Sequence, residues 1–175
     1  MQENNFINSA LKVIQIEGKA ILGLQDQIKE TFNDLCSNIL ATKGKLILMG
    51  IGKSGHIAQK ISATLSSTGT PSFFIHPTEA AHGDLGMIDK KDAILILSNS
   101  GETKEIIEIL PALKRCAGSI FTLTNNADST IAKTGDINIL IKANEEACPL
   151  DLAPTSSTTL ALVFGDALAV SLLEH

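Results

Sequence analysis

Two short runs in the chain carry the residue types that bind anions. Ser98-Asn99-Ser100-Gly101-Glu102-Thr103 sets three hydroxyls, a carboxamide and a glycine directly before a stretch of helical length. Free N–H groups at a helix start, together with Ser98, Asn99, Ser100 and Thr103, can cradle a phosphate. Capping that helix with Ser100 would use one hydroxyl, not three. The second run, Gly50-Ile51-Gly52-Lys53-Ser54-Gly55, fits the GxGxxG spacing, with Gly52, Lys53 and Ser54 as its candidate contacts. A Walker loop would need glycine at position 47, where the chain has Ile47. A dinucleotide site would want a carboxylate at the end of the next strand to hold a ribose hydroxyl, and Ile75-His76 offers none. A tight strand-to-helix turn accounts for these glycines as well as a ligand does.

Two further groupings are weaker. Thr155-Ser156-Ser157-Thr158-Thr159 opens the last helical stretch, and Thr155 and Ser156 are taken as additional contacts, although capping and helix packing explain the hydroxyls more simply. His76, Glu79, His82 and Asp84 lie near one another in sequence, as metal ligands do. A histidine at a strand end followed by a turn gives the same spacing. The expectation is therefore no required metal, with zinc on His82 and a neighbour at most adventitious.

The elements that must position these residues follow from hydrophobic patterning. Leu46–Met49, Ser72–Ile75, Ala93–Leu97, Ile120–Thr124 and Ile137–Ile141 are short apolar runs bounded by Gly, Asp, Asn, Ser or Pro. Their apolar residues are continuous rather than alternating, which marks strands covered on both faces and hence a parallel sheet. Helical segments are expected over Ser54–Thr68, Thr103–Arg115, Ser129–Lys133 and Thr155–Leu173. Two more precede the first strand, between about Asn5 and Thr42, with a break near Gly23. The result is an α/β fold, a three-layer α/β/α sandwich on a five-stranded parallel sheet. In the flavodoxin-like order 2-1-3-4-5 the switch point lies between strands 1 and 3. Both anion-binding runs follow those two strands and would face each other across that crevice, holding a small phosphorylated ligand.

Composition removes other classes of function. The 175 residues include 14 Lys and Arg against 19 Asp and Glu, a net charge of −5, with no basic block. That argues against nucleic acid or an anionic membrane surface as partner. Trp and Tyr are absent and Phe numbers 6, so stacking on bases or sugar rings is not the mode of recognition. Cys36, Cys116 and Cys148 form no CxxC pair and fit free thiols in a reducing cytoplasm. The start of the chain lacks the basic region of a signal peptide. The most apolar stretch, Leu160–Leu173, is interrupted by Gly165 and Asp166 and reads as a core helix. Charged residues are 19% of the chain, low for a solvated monomer, so a partner subunit is expected to cover part of the surface.

The motifs MGIGKSGHIAQK, STGTPSFFIHPTEAAHGDLGM, SNSGETKEI and EACPLDLAPTSSTT resemble the SIS (sugar isomerase) domain family from about Gly44 to Leu173. The HPTEAAHGDLGM stretch resembles its arabinose-5-phosphate isomerase branch. The resemblance implies interconversion of D-ribulose 5-phosphate and D-arabinose 5-phosphate through an enediol(ate), feeding 3-deoxy-D-manno-octulosonate synthesis for lipopolysaccharide or capsule. It also implies a homotetramer and no organic cofactor. By the same resemblance Lys53, His82 and Glu105 match catalytic positions. Glu105 and His82 would move protons, Asp84 would orient His82, and Lys53 would neutralise phosphate or polarise the enediolate oxygen. The alternatives are a non-catalytic sugar-phosphate sensor and another phosphosugar isomerase of the superfamily.

The expected domain organisation is a single SIS domain over residues 1–173, without the CBS domains that many members carry. Glu174 and His175 read as the start of a Leu-Glu-His tag. In the resembled family the last helix runs on to a Ser-His-Pro-Gly-Gly-type motif whose histidine is counted in the active site. The expectation is an isolated domain that binds phosphosugar but turns over well below its parent chain.

Overall fold

A computed structural model of the chain describes residues 5–175. The five apolar runs form strands β1 (Leu46–Gly50), β2 (Ser72–Phe74), β3 (Ala93–Leu97), β4 (Ser119–Thr124) and β5 (Ile137–Leu140). All pairs are parallel, in the order β2-β1-β3-β4-β5. Leu46 lies opposite both Ser72 and Ala93, and Gly50 opposite Leu97. The ends of β1 and β3 are thus level, which brings the two loops after them side by side.

Burial on both faces explains the continuous apolar runs. Leu46, Leu48, Leu95 and Leu97 point into a core shared with α2 (Glu30–Ala41), α3 (Gly52–Ser67) and α7 (Ser156–Leu173). Their neighbours Ile47, Met49, Ile94 and Ile96 point into the opposite core, with α4 (Pro77–Ala81), α5 (Lys104–Cys116) and α6 (Thr130–Thr134). Each such side chain stabilises the fold by about 1.5–3 kcal/mol on burial. The N-terminal helix α1 (Phe6–Leu24) packs on α7 and leaves Phe6, Ile7, Leu11 and Ile14 exposed. A turn of 3-10 helix, Gln25–Gln27, joins it to α2 and is pinned to the far edge of the sheet. There Gln27 Oε1 accepts the Lys142 N–H at 2.7 Å and its Nε2 donates to the Lys142 carbonyl at 3.2 Å.

The long connection after β2 is built of two short helical elements. His76 Nδ1 accepts the Thr78 N–H, Pro77 occupies the first turn of α4, and a 3-10 turn follows over Asp84–Met87. Elements of five and four residues are too short to show a periodicity. The last apolar stretch is the core helix expected of it, with Leu160, Phe164 and Leu168 fully buried. Helix α7 runs 18 residues and by length and composition is apolar enough to cross a membrane. Gly165 and Asp166 sit inside it for packing reasons. A Cβ on Gly165 would come within 2.3 Å of Ile61 Cγ1, and Asp166 pairs with Lys60, so both residues lock α7 onto α3.

Candidate active site

A cleft of about 330 Å³ opens at the carboxyl ends of the strands, at the switch point between β1 and β3. The β1–α3 and β3–α5 loops both wall it. Lys53 and Ser54 come from the first turn of α3, and Ser98, Asn99, Ser100 and Thr103 from the loop between β3 and α5. Gly52, with φ +59°, makes the turn between β1 and α3. Gly55 must lack a side chain, because a Cβ there would approach the Gly50 carbonyl oxygen to 2.7 Å. The β1–α3 glycines therefore serve the tight turn and leave the helix N-terminus close to the sheet edge.

The second loop is held open by its own hydroxyls. Ser98 Oγ, which is buried, accepts the Gly101 N–H at 3.1 Å and lies 2.8 Å from Thr103 Oγ1. Ser100 Oγ accepts the Glu102 N–H at 3.2 Å. Glu102 accepts the Thr130 N–H at 2.7 Å, which ties the loop to α6. None of these bonds closes the start of α5, and no side chain caps either α3 or α5. Both helices thus direct uncapped N–H groups and positive dipole ends toward the cleft. Lys53 adds a cation that forms no ion pair among the described residues.

The third helix N-terminus at this rim is already filled. Glu146 accepts the Thr155 N–H at 2.7 Å and the Ser157 N–H at 3.3 Å, and Thr155 Oγ1 also donates to it at 2.9 Å. Burial acts to raise its pKa, but the hydrogen bonds from Ser157 and Thr155 outweigh burial and hold it below the usual Glu value. A folded-state pKa below the unfolded one stabilises the fold at pH values above the unfolded pKa. That contribution is lost as pH falls through the lowered value. Glu146→Ala should cost about 1 kcal/mol at neutral pH, as loss of a helix cap does. The gap to wild type should close on acidification when both are followed by urea unfolding.

Thr155 and Ser156 do not line the cleft. Thr155 Oγ1 is engaged with Glu146 and with the Ala147 N–H, and Ser156 is buried beneath the helix. Their neighbours Ser157 and Thr158 line it instead, with Pro154 and Thr124. Because α7 is apolar almost all round, its sequence carries no face by which to phase the hydroxyl run. Ser157 Oγ is buried and lies close to the Glu146 carboxylate.

The acid/base candidates stand outside the cleft, on the opposite layer from α3 and α7. Glu105 is in the first turn of α5 and is exposed. His82 is the exposed C-cap of α4, which packs against α5, and Asp84 is exposed two residues on. His76 is half-buried, with its ring edge-on to Phe74. Among the described residues no three His, Cys, Asp or Glu side chains gather at metal-binding distance.

Comparison with known proteins matches this arrangement to a family. The SIS domain model aligns with residues 39–171, so α1 and most of α2 precede it. Arabinose 5-phosphate isomerase KdsD of Pseudomonas aeruginosa is 51% identical over 173 residues, covering 99% of this chain and 53% of that protein. KdsD of Escherichia coli K12 is 48% identical over 170 residues, covering 97% of this chain and 52% of that protein. The chain therefore spans about half the length of these curated relatives. The solved structure of E. coli CFT073 c3406 in complex with arabinose 5-phosphate superposes with a TM-score of 0.95 at 42% identity, covering 99% of this chain and 93% of that one. With matching fold, loop positions and sequence over nearly its whole length, the chain belongs to the SIS domain family.

Proposed function

We propose that the chain is an aldose–ketose isomerase interconverting D-ribulose 5-phosphate and D-arabinose 5-phosphate, upstream of 3-deoxy-D-manno-octulosonate synthesis in the cytoplasm. The observation that carries this reading is the pair of uncapped helix N-termini, α3 and α5, flanked by Lys53, Ser100 and Thr103 at the switch point. It is a site for a dianionic phosphate, and relatives of this chain are arabinose 5-phosphate isomerases.

The phosphate anchors the substrate and fixes the rest of the sugar near the first turn of α5. One of Glu105 and His82 then takes a proton from C1, beside the C2 carbonyl, and returns one to C2, while the O1 hydroxyl proton passes to O2 and the aldehyde forms at C1. Charge developing on the oxygens during this transfer is stabilised by Lys53 and by α5's positive end. No organic cofactor or metal takes part, and exhaustive chelation should leave turnover unchanged.

The exposure of Glu105 and His82 in one chain calls for enclosure, and homotetramer formation supplies it in this reading. Separately, the apolar face of α1 on the other layer, with Phe6 77% and Ile14 66% exposed, supports assembly with further copies of the chain. A monomeric mass by light scattering at micromolar concentration would remove this source of enclosure.

Ser100→Ala tests the anchor. A hydrogen bond to a charged group contributes about 1.5–3 kcal/mol, so sugar-phosphate binding should weaken roughly ten- to hundredfold by calorimetry. Unchanged affinity would place the phosphate elsewhere. The activity itself is tested by incubating the protein with D-ribulose 5-phosphate and assaying for loss of the ketose.

A further inference from the structure

His76 follows the end of β2, and no step above uses it. Its ring is held from two sides. Nδ1 accepts the Thr78 N–H at 3.3 Å, and Phe74 stands edge-on to the ring with centroids 6.2 Å apart. The His76 carbonyl accepts the Ala80 N–H at 3.0 Å, so backbone and side chain together start α4. A backbone N–H only donates, so Nδ1 presents its lone pair and the proton of the neutral ring sits on Nε2. From there α4 runs five residues to His82, whose own N–H closes the helix on the Glu79 carbonyl at 3.0 Å. Pro77 and Ala80 are buried, and Ala80 shares a core with Ile106 and Ile109 of α5. One face of α4 is thus fixed on α5, and a histidine stands at each of its ends.

We propose that His76 is a positioning residue for the isomerisation: its Nδ1 caps α4 and thereby holds His82 at a fixed place against α5. The proposal rests on the acid/base reading of His82 above. Starting a helix is its costly step, and a five-residue helix has few later hydrogen bonds to offset it. Without the cap α4 frays from Pro77, and little more than one turn separates that end from His82. Serine or aspartate would also cap, but the imidazole adds its contact with Phe74. The tip of the Phe74 ring lies 3.7 Å from where a Cβ on Gly55 would stand, in the first turn of α3. The cap therefore ties α4 to the helix that presents Lys53 and Ser54 to the phosphate cleft.

The test exploits the two ring nitrogens. Asparagine places a carboxamide oxygen where Nδ1 lies, whereas glutamine places its carboxamide where Nε2 lies. With D-ribulose 5-phosphate as substrate, His76→Asn should keep kcat within about twofold of wild type. His76→Gln and His76→Ala should each lose about five- to twentyfold in kcat, with KM within about twofold because the phosphate cleft is untouched. In a His82→Ala background, His76→Ala should lower kcat no further. NMR of the ring nitrogens of the wild type should show the Nε2–H tautomer at His76. The reverse ranking, with Gln active and Asn not, would mean that Nε2 meets the substrate and would overturn the proposal. Equal kcat in all three variants, additive losses in the double variant, KM rising as kcat falls, or an Nδ1–H tautomer would overturn it too. A slow His82→Ala beside a fully active His76→Ala removes this role alone. Wild-type turnover in His82→Ala removes the acid/base reading of His82 and this role with it.

Discussion

Replacing Glu105 by Gln should lower turnover about 10²–10⁴-fold, the range expected when a positioned acid or base is lost. Affinity for the sugar phosphate should stay within a few-fold, because Glu105 does not line the phosphate cleft. His82→Ala should behave in the same way. The split between rate and binding is the informative part. Ser100→Ala should act on binding, at the loop proposed to hold the phosphate, whereas Glu105→Gln should act after the ligand is seated. A Glu105→Gln enzyme with near wild-type turnover would return this residue to an ordinary helix-start carboxylate favoured by the dipole. Loss of binding and rate together would show instead that the variant disturbs the start of α5.

The second large effect is expected at Gly101. Its φ is +69°, and a Cβ there would lie 1.9 Å from Ser129 Oγ and 2.4 Å from Ser129 Cβ. Ser129 cannot simply yield. Its Oγ caps α6 by accepting the Ala132 N–H and donates to the Asn126 carbonyl at 2.7 Å. Gly101→Ala should therefore cost about 2–4 kcal/mol in urea unfolding, combining left-handed backbone strain with overpacking. The loop is tied down on both sides, by Gly101 N–H to Ser98 Oγ and by Ile131 N–H to the Gly101 carbonyl. A shift there displaces Ser98, Ser100 and Thr103 together, so phosphate affinity should fall by more than about a hundredfold. The double variant Gly101→Ala/Ser129→Gly removes the clash but keeps the strained φ, and should recover part of the stability. Recovery of none would mean that the backbone, not the contact with Ser129, carries the cost.

The sheet was legible because parallel strands buried on both faces are continuous apolar runs. Each strand end fell within a residue of its expected place, as at Ala93–Leu97. The cleft was legible for a related reason. Loops after β1 and β3 must meet once the strand order is 2-1-3-4-5, and Lys53, Ser54, Ser98, Asn99, Ser100 and Thr103 do meet there. What the residues did not show is equally physical. Ser157 and Thr158, rather than Thr155 and Ser156, face the cleft because α7 has no polar face to set its rotation. Glu146 caps α7 from outside the helix, across an irregular segment where no periodicity operates. His82 and Glu105 were drawn from resemblance alone, since an exposed histidine and a helix-start glutamate have no distinguishing pattern.

The proposed reaction is a proton transfer that makes one particular aldose from D-ribulose 5-phosphate. NMR of that ketose incubated with the protein in D₂O, with chelator present, follows the transfer itself. D-arabinose 5-phosphate should appear with deuterium at C2, because the proton delivered to the enediol(ate) exchanges with solvent at the base. Unchanged D-ribulose 5-phosphate, or its conversion to D-ribose 5-phosphate, would rule this reaction out.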